Sequence, residues 1–149
     1  MRPILGDLPL RLPVVAMNGA FVSDFRTGRH EIVESIRAAG VAAVLAAAER
    51  LALVPFVISF DGESDNLYIP PPANGGMAWY LRDREAARDA RLRDGYDARQ
   101  WLSQQIVALT FIDSRARLEP LEAALRGSRR ERGVHRAPVH QRMVLAHGA

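Results

Sequence analysis

Cysteine is absent from the 149 residues, which excludes disulfide staples and thiolate metal sites and is compatible with a reducing compartment. Lysine is absent as well: all 20 basic residues are arginine, a bias that fits a GC-rich coding sequence better than a binding function. No Asp-x-Asp pair occurs in the chain. No stretch reaches eighteen uninterrupted apolar residues, and Met1-Arg-Pro-Ile-Leu-Gly-Asp7 lacks the apolar segment of a secretory signal. The expectation is a soluble cytoplasmic protein with no membrane partner. Beyond Pro70-Pro-Pro72 there is no low-complexity segment, and there is no internal repeat.

What is present is globular in make-up: 48% hydrophobic and 25% charged residues suffice for one domain with a real core. Charge is unevenly placed. Residues 126–149 hold six arginines and one acid, net +5, which leaves 14 arginines against 16 acids, net −2, in residues 1–125. A mildly acidic body suits a metabolite enzyme's domain, whereas the basic tail taken alone points to nucleic acid.

Residues 1–12 show neither helical nor strand period and read as a lead-in loop. Residues 13–24 read as a strand interrupted by Asn18-Gly19. That dipeptide is a turn signal, yet the run stays apolar through Ala20, Phe21 and Val22, which predicts a bulge in a continuing strand. The interval 25–29, with Gly28, then predicts a hairpin to a strand at 30–36. Val41, Val44, Leu45, Ala48, Leu51 and Ala52 recur at helical spacing, with Ser35 as a possible cap. Phe56, Ile58 and Phe60 mark a strand that turns through Asp61-Gly62 towards Leu67-Tyr-Ile69. Pro70 to Gly76 reads as an irregular crossover, and 77–92 as a solvated, charge-mixed helix with Glu85 and Arg88, and Asp89 and Arg93, spaced for pairing. Residues 106–112 are apolar on both faces, as in a central strand, and Leu118, Leu121 and Leu125 mark a last helix with Pro120 in its first turn. The predicted fold class is α+β: one mainly antiparallel sheet containing 14–22, 31–36, 54–60, 66–69 and 106–112, with the helices at 37–52 and 118–126 on one face.

Few residues carry obvious chemistry. Asp61, Glu63 and Asp65 alternate as in a calcium loop, but the sixth-position glycine and twelfth-position acid are missing, so solvated turn acids are expected. His135, His140 and His147 lack metal-ligand spacing, and His30 reads as a surface residue opening a strand. No metal ligand and no catalytic residue is assigned. Trp79 and Trp101 read as anchors holding helices to the sheet. Thr27-Gly28-Arg29 reads as a turn.

The stretch Leu8-Pro-Leu-Arg-Leu-Pro-Val-Val-Ala-Met-Asn-Gly-Ala-Phe-Val-Ser-Asp24 resembles the hinge at which phosphatases of the haloacid dehalogenase (HAD) superfamily, in the Cof-type or class IIB sugar-phosphate branch, leave a Rossmann-like core for an inserted α/β cap. The resemblance runs to about Gly127 as agreement in the order of elements, with Asn18-Gly19-Ala20 its one motif-grade segment. It implies a cap domain at 13–127, a lead-in from a missing core at 1–12, and an Arg-rich irregular tail at 128–149. It places Asn18 and Gly19 at the core–cap junction beside the substrate, with Tyr68 and Arg82 as substrate-facing residues. The superfamily's reaction needs an aspartate nucleophile, a second aspartate as acid/base, Mg²⁺ and a lysine. Those motifs are missing from this chain, so the implied function is a cap fragment, itself not catalytic, of an enzyme hydrolysing a small phosphorylated metabolite. No cofactor is assigned to the chain, Mg²⁺ belonging to the complete parent. A truncated or frame-disrupted gene is the corresponding expectation, because reading residues 142–147 one base later yields an aromatic strand. Two alternatives stand beside it: a small nucleic-acid-binding module using the basic tail, and an interaction protein, possible also as an oligomer, that docks on a separate core subunit.

Overall fold

Asn18 and Gly19 turn the chain back on itself instead of bulging a continuous strand, in a computed structural model that describes residues 12–131 and 143–147. Strand β1 (Pro13–Ala16) and strand β2 (Phe21–Asp24) pair antiparallel, with Ala16 opposite Phe21. The reason is dihedral. Met17, Asn18 and Gly19 have φ of 50°, 54° and 90°, and three successive left-handed residues cannot propagate an extended strand. The apolar run continues past the turn because Ala20 and Phe21 are buried in their own right. Strand β3 (His30–Val33) returns against β2 through the expected turn, in which the Thr27 N–H and hydroxyl donate to Asp24 Oδ1 at 2.7 and 2.8 Å and Gly28 takes φ 76°. The three-stranded sheet β1-β2-β3 belongs to a first compact unit that ends at Ser35.

The second unit starts at Ile36, whose N–H donates to the Ile106 carbonyl at 2.7 Å. Helix α1 (Ala38–Arg50) buries Val41, Val44, Ala47 and Ala48; its N-cap is Arg37, without a side-chain cap, and not Ser35. Strand β4 (Phe56–Phe60), the Asp61-Gly62 turn and strand β5 (Asp65–Tyr68) form the expected hairpin. Helix α2 (Gly75–Ala86) starts two residues earlier than its composition suggests, because Asn74 caps it and lets the two glycines serve as its first turn. It also stops earlier, before Arg88 at φ 49°. Strand β6 (Leu92–Arg93), helix α3 (Ala98–Leu102) and strand β7 (Gln105–Asp113) follow, then helix α4 (Arg115–Glu131) and strand β8 (Met143–His147). Pro120 lies inside α4 and not in its first turn, since the helix begins at Arg115.

The five-stranded sheet has the order β6-β5-β4-β7-β8, antiparallel among β5, β4 and β7 and parallel at both edges. The protein is therefore α+β as predicted, but its strands form two sheets and not one. The stretch read as an irregular tail also contains regular structure. Arg-rich residues are good helix formers and carry α4 to Glu131, and the apolar residues 143–146 open β8, which pairs in parallel with β7 from Leu109↔Met143 to Asp113↔His147. The remaining lead-in (1–11) and tail residues (132–142 and 148–149), including His135 and His140, lie outside the described residues.

Alternation along the strands decides what each face of the large sheet meets. Val57 is opposite both Tyr68 and Leu109, and these join Phe111 with Val41, Val44 and Ala48 of α1, Trp101 of α3, and Leu118 and Leu121 of α4 in one buried cluster. A bulge beside Ser59 pairs that residue with Ile106, which brings Ile106 into the same cluster. Burying each of the valine, leucine, isoleucine and phenylalanine side chains in it contributes about 1.5–3 kcal/mol. Phe56 and Ile112 point to the opposite face, where Tyr80 of α2 meets Phe56 edge-on at 5.0 Å between ring centroids. Arg117 fastens α4 to the end of α1 by donating to the carbonyls of Leu51 and Ala52 at 3.3 and 3.2 Å.

Candidate functional site

At the end of β7 the N-termini of α2 and α4 frame a cleft of about 490 Å³ lined by Asn74, Gly75, Gly76, Trp79, Ile112, Asp113 and Ser114. Asn74 builds one wall. Its Oδ1 accepts from the Met77 N–H and its Nδ2 donates to the Ile112 carbonyl, both at 2.9 Å, so one side chain caps α2 and ties it to β7. Gly76 is required there, because a Cβ at this position would stand 2.9 Å from Ile112 Cγ2, whereas a Cβ at Gly75 would meet nothing within 4 Å. Asp113 is held by the Ser114 N–H at 2.7 Å and by Arg117 at 2.8 Å. Trp79, expected to anchor its helix, is instead 60% exposed at the cleft. Its place on α2 turns it outward while Met77 takes the buried position. An exposed indole, the Ile112 side chain and the Asp113 carboxylate, paired with Arg117, line the cleft; among the described residues no nucleophile there is hydrogen-bonded to a base.

The residues singled out in the sequence are not brought together. Asn18 and Gly19 sit at the reversal of the small sheet, and the Asn18 side chain is exposed. Arg82 is exposed on α2. Tyr68 is buried in the core cluster and not presented to a ligand, because its place opposite Val57 puts it on the face covered by α1 and α4. Its hydroxyl accepts from Gln104 Nε2 at 3.0 Å. Trp101 is buried, as an anchor should be.

Tyr68 belongs to a polar network that pattern reading missed. Ser59 and Asn66, opposite one another on β4 and β5, both donate to Gln104 Oε1, at 2.6 and 3.0 Å. Asn66 is 2% exposed. It also donates to Asp61 Oδ2 at 3.0 Å and accepts from Arg93 Nε at 2.6 Å. Arg93 therefore serves Asn66 and not Asp89, its expected helical partner; the helix ends before either residue, and Asp89 pairs with Arg91 at 2.6 Å. The N–H of Ser64, then the Asn66 amide and the N–H of Glu63, hold the Asp61 carboxyl down to about 2. With its members satisfied, the network specifies the sheet and its turn and leaves no reactive group. In the small sheet His30 is half-buried: its Nδ1 is 2.7 Å from Ser23 Oγ and its ring stacks on Phe21 at 4.0 Å. Ser23 and His30 are cross-strand neighbours, which accounts for the contact. Among the described residues no three His, Asp or Glu side chains are grouped to hold a metal ion, and no helix is long and apolar enough to cross a membrane.

No family model matches the chain, and neither curated proteins nor solved structures provide a match. The Trp79 cleft had one signal in the sequence, an Asn-Gly-Gly helix start followed by an aromatic residue at helical spacing.

Proposed function

We infer that this chain is the substrate-covering part of a HAD-like hydrolase, a module that helps select a small phosphorylated metabolite while the chemistry is done by a Rossmann-like core. The observation that carries the reading is the division of the chain between Ser35 and Ile36 into a three-stranded unit and a larger α+β unit. The resemblance sets the cap at 13–127 with its junction at Asn18-Gly19; in this reading the junction is moved to the boundary between Ser35 and Ile36. The Trp79 cleft, with binding groups and no activated nucleophile, supports a covering role and offers the surface that would face a substrate. In this reading its aliphatic and aromatic walls contact the substrate, and the bond-breaking groups come from elsewhere. Mg²⁺ is assigned to the core in this reading. A cytoplasmic setting follows from the same reading.

The test is hydrolysis of p-nitrophenyl phosphate and of a panel of sugar phosphates with Mg²⁺. The isolated chain is expected to give no turnover above background. Joined to a core carrying the aspartate pair and lysine, it is expected to restore turnover, and Trp79→Ala is expected to change the ranking of substrates while sparing p-nitrophenyl phosphate. Metal-dependent turnover by the chain alone, abolished by Asp61→Asn or Asp113→Asn, refutes the proposal.

A further inference from the structure

The chain contains three asparagines, and two of them, Asn18 and Asn74, precede glycine. Asparaginyl-glycine is chemically labile, because glycine has no side chain to shield its backbone nitrogen from the asparagine amide carbon. The structure sets the two dipeptides in opposite situations. Asn74 is locked at both ends of its amide, Oδ1 by the Met77 N–H and Nδ2 by the Ile112 carbonyl, each at 2.9 Å. Turning that side chain towards the Gly75 nitrogen breaks both bonds and uncaps α2. Asn18 is exposed in the loop between β1 and β2, and its amide makes no hydrogen bond to any of the described residues. The third, Asn66, is buried in its network and precedes Leu67, whose side chain obstructs the attack.

We propose that Asn18 is a site of spontaneous deamidation and isoaspartate formation, and that Asn74 is protected by its cap. The balance of the step is simple. Base removes the proton of the Gly19 amide nitrogen, which attacks Cγ of Asn18; the new N–Cγ bond closes a five-membered succinimide as the Cγ–NH₂ bond breaks and ammonia leaves. Water then opens the ring at either carbonyl, giving aspartate or isoaspartate, so that the net reaction consumes one water and releases one ammonia. Asn18 has ψ 34° and must rotate before the nitrogen reaches Cγ, a motion that no side-chain bond to the described residues opposes. The product adds a negative charge at the reversal. As isoaspartate it also adds a methylene to the backbone of the loop that the Ala16↔Phe21 pair closes, which shifts the hairpin's register.

The test is ageing of the full chain at mildly alkaline and mildly acidic pH, followed by peptide mapping, mass spectrometry and isoaspartate-specific methylation. Conversion is expected at Asn18, faster at the higher pH and with isoaspartate in excess. Asn74 is expected to convert at least about tenfold more slowly, the population penalty for breaking two hydrogen bonds of ordinary net strength. In urea, with the cap gone, the two sites are expected to convert at similar rates. Asn18→Gln is expected to remove the modified peptide. Equal rates at both sites in the folded chain, or conversion of Asn18 in urea but not in the folded chain, overturns the proposal.

Discussion

The small sheet leaves Val15 64% and Ile32 50% exposed, whereas the large sheet buries Val57, Leu109 and Phe111 almost completely. Val15 and Ile32 both flank Val22 across β1, β2 and β3, so the exposed residues form one stripe on one face. Both sheets are rich in β-branched residues. What differs is the covering. The large sheet has α1 and α4 on one face and α2 against the other, and its strand β7 is nine residues long, while each strand of the small sheet has four. Strand propensity makes a sheet possible, and a second layer makes it a core.

Substitutions can break or sharpen this contrast. Phe111→Ala should have the largest effect, about 3–5 kcal/mol of stability lost through cavity formation in the buried cluster, read as a shift in the urea midpoint. A loss below about 1 kcal/mol would mean that the covering layers are loose, since surface substitutions fall in that range. Asn66→Ala should cost about 1–3 kcal/mol by removing one hydrogen-bond partner each from Arg93 Nε, Gln104 Oε1 and Asp61 Oδ2 around a buried site. Asn74→Ala should cost about 1 kcal/mol as the loss of a helix cap, and hydrogen exchange should quicken in the first turn of α2 and not in the small sheet.

Acidification gives a smaller signal. Asp61 has a folded value depressed from 3.8 to about 2, so its contribution to stability is present above the unfolded value and disappears as pH falls through the folded one. Asp61→Asn should flatten the stability curve between those limits and leave it unchanged at neutral pH apart from the turn bonds. The smallest effect is expected from Val15→Ser with Ile32→Ser, within about 0.5 kcal/mol because both residues are already exposed. A larger cost would show that this stripe is covered in solution.

Legibility followed the covering. α1 was visible because Val41, Val44 and Ala48 must meet the sheet at helical spacing, β4 because Phe56, Ile58 and Phe60 alternate with Val57 and Ser59, and β7 because both its faces are apolar. The reversal at Asn18 was hidden by the apolar residues beyond it: hydrophobic patterning reports burial, and Phe21 is buried on the returning strand just as it would be on a continuing one. β6 and α3 are too short, at two and five residues, to show a period, and they are held by Arg93 and Trp101 through long-range partners. The cleft escaped notice because the helix start that shapes it looked like loop: Asn74 acts through a carbonyl 38 residues away, a relation no local pattern encodes.

The covering role is tested most directly by the nucleotide sequence on either side of the coding region. The account predicts that it encodes an Asp-x-Asp strand end upstream, and a lysine followed by an acidic metal-binding motif downstream, in this frame or one base from it. Flanks that encode neither motif in any frame contradict it.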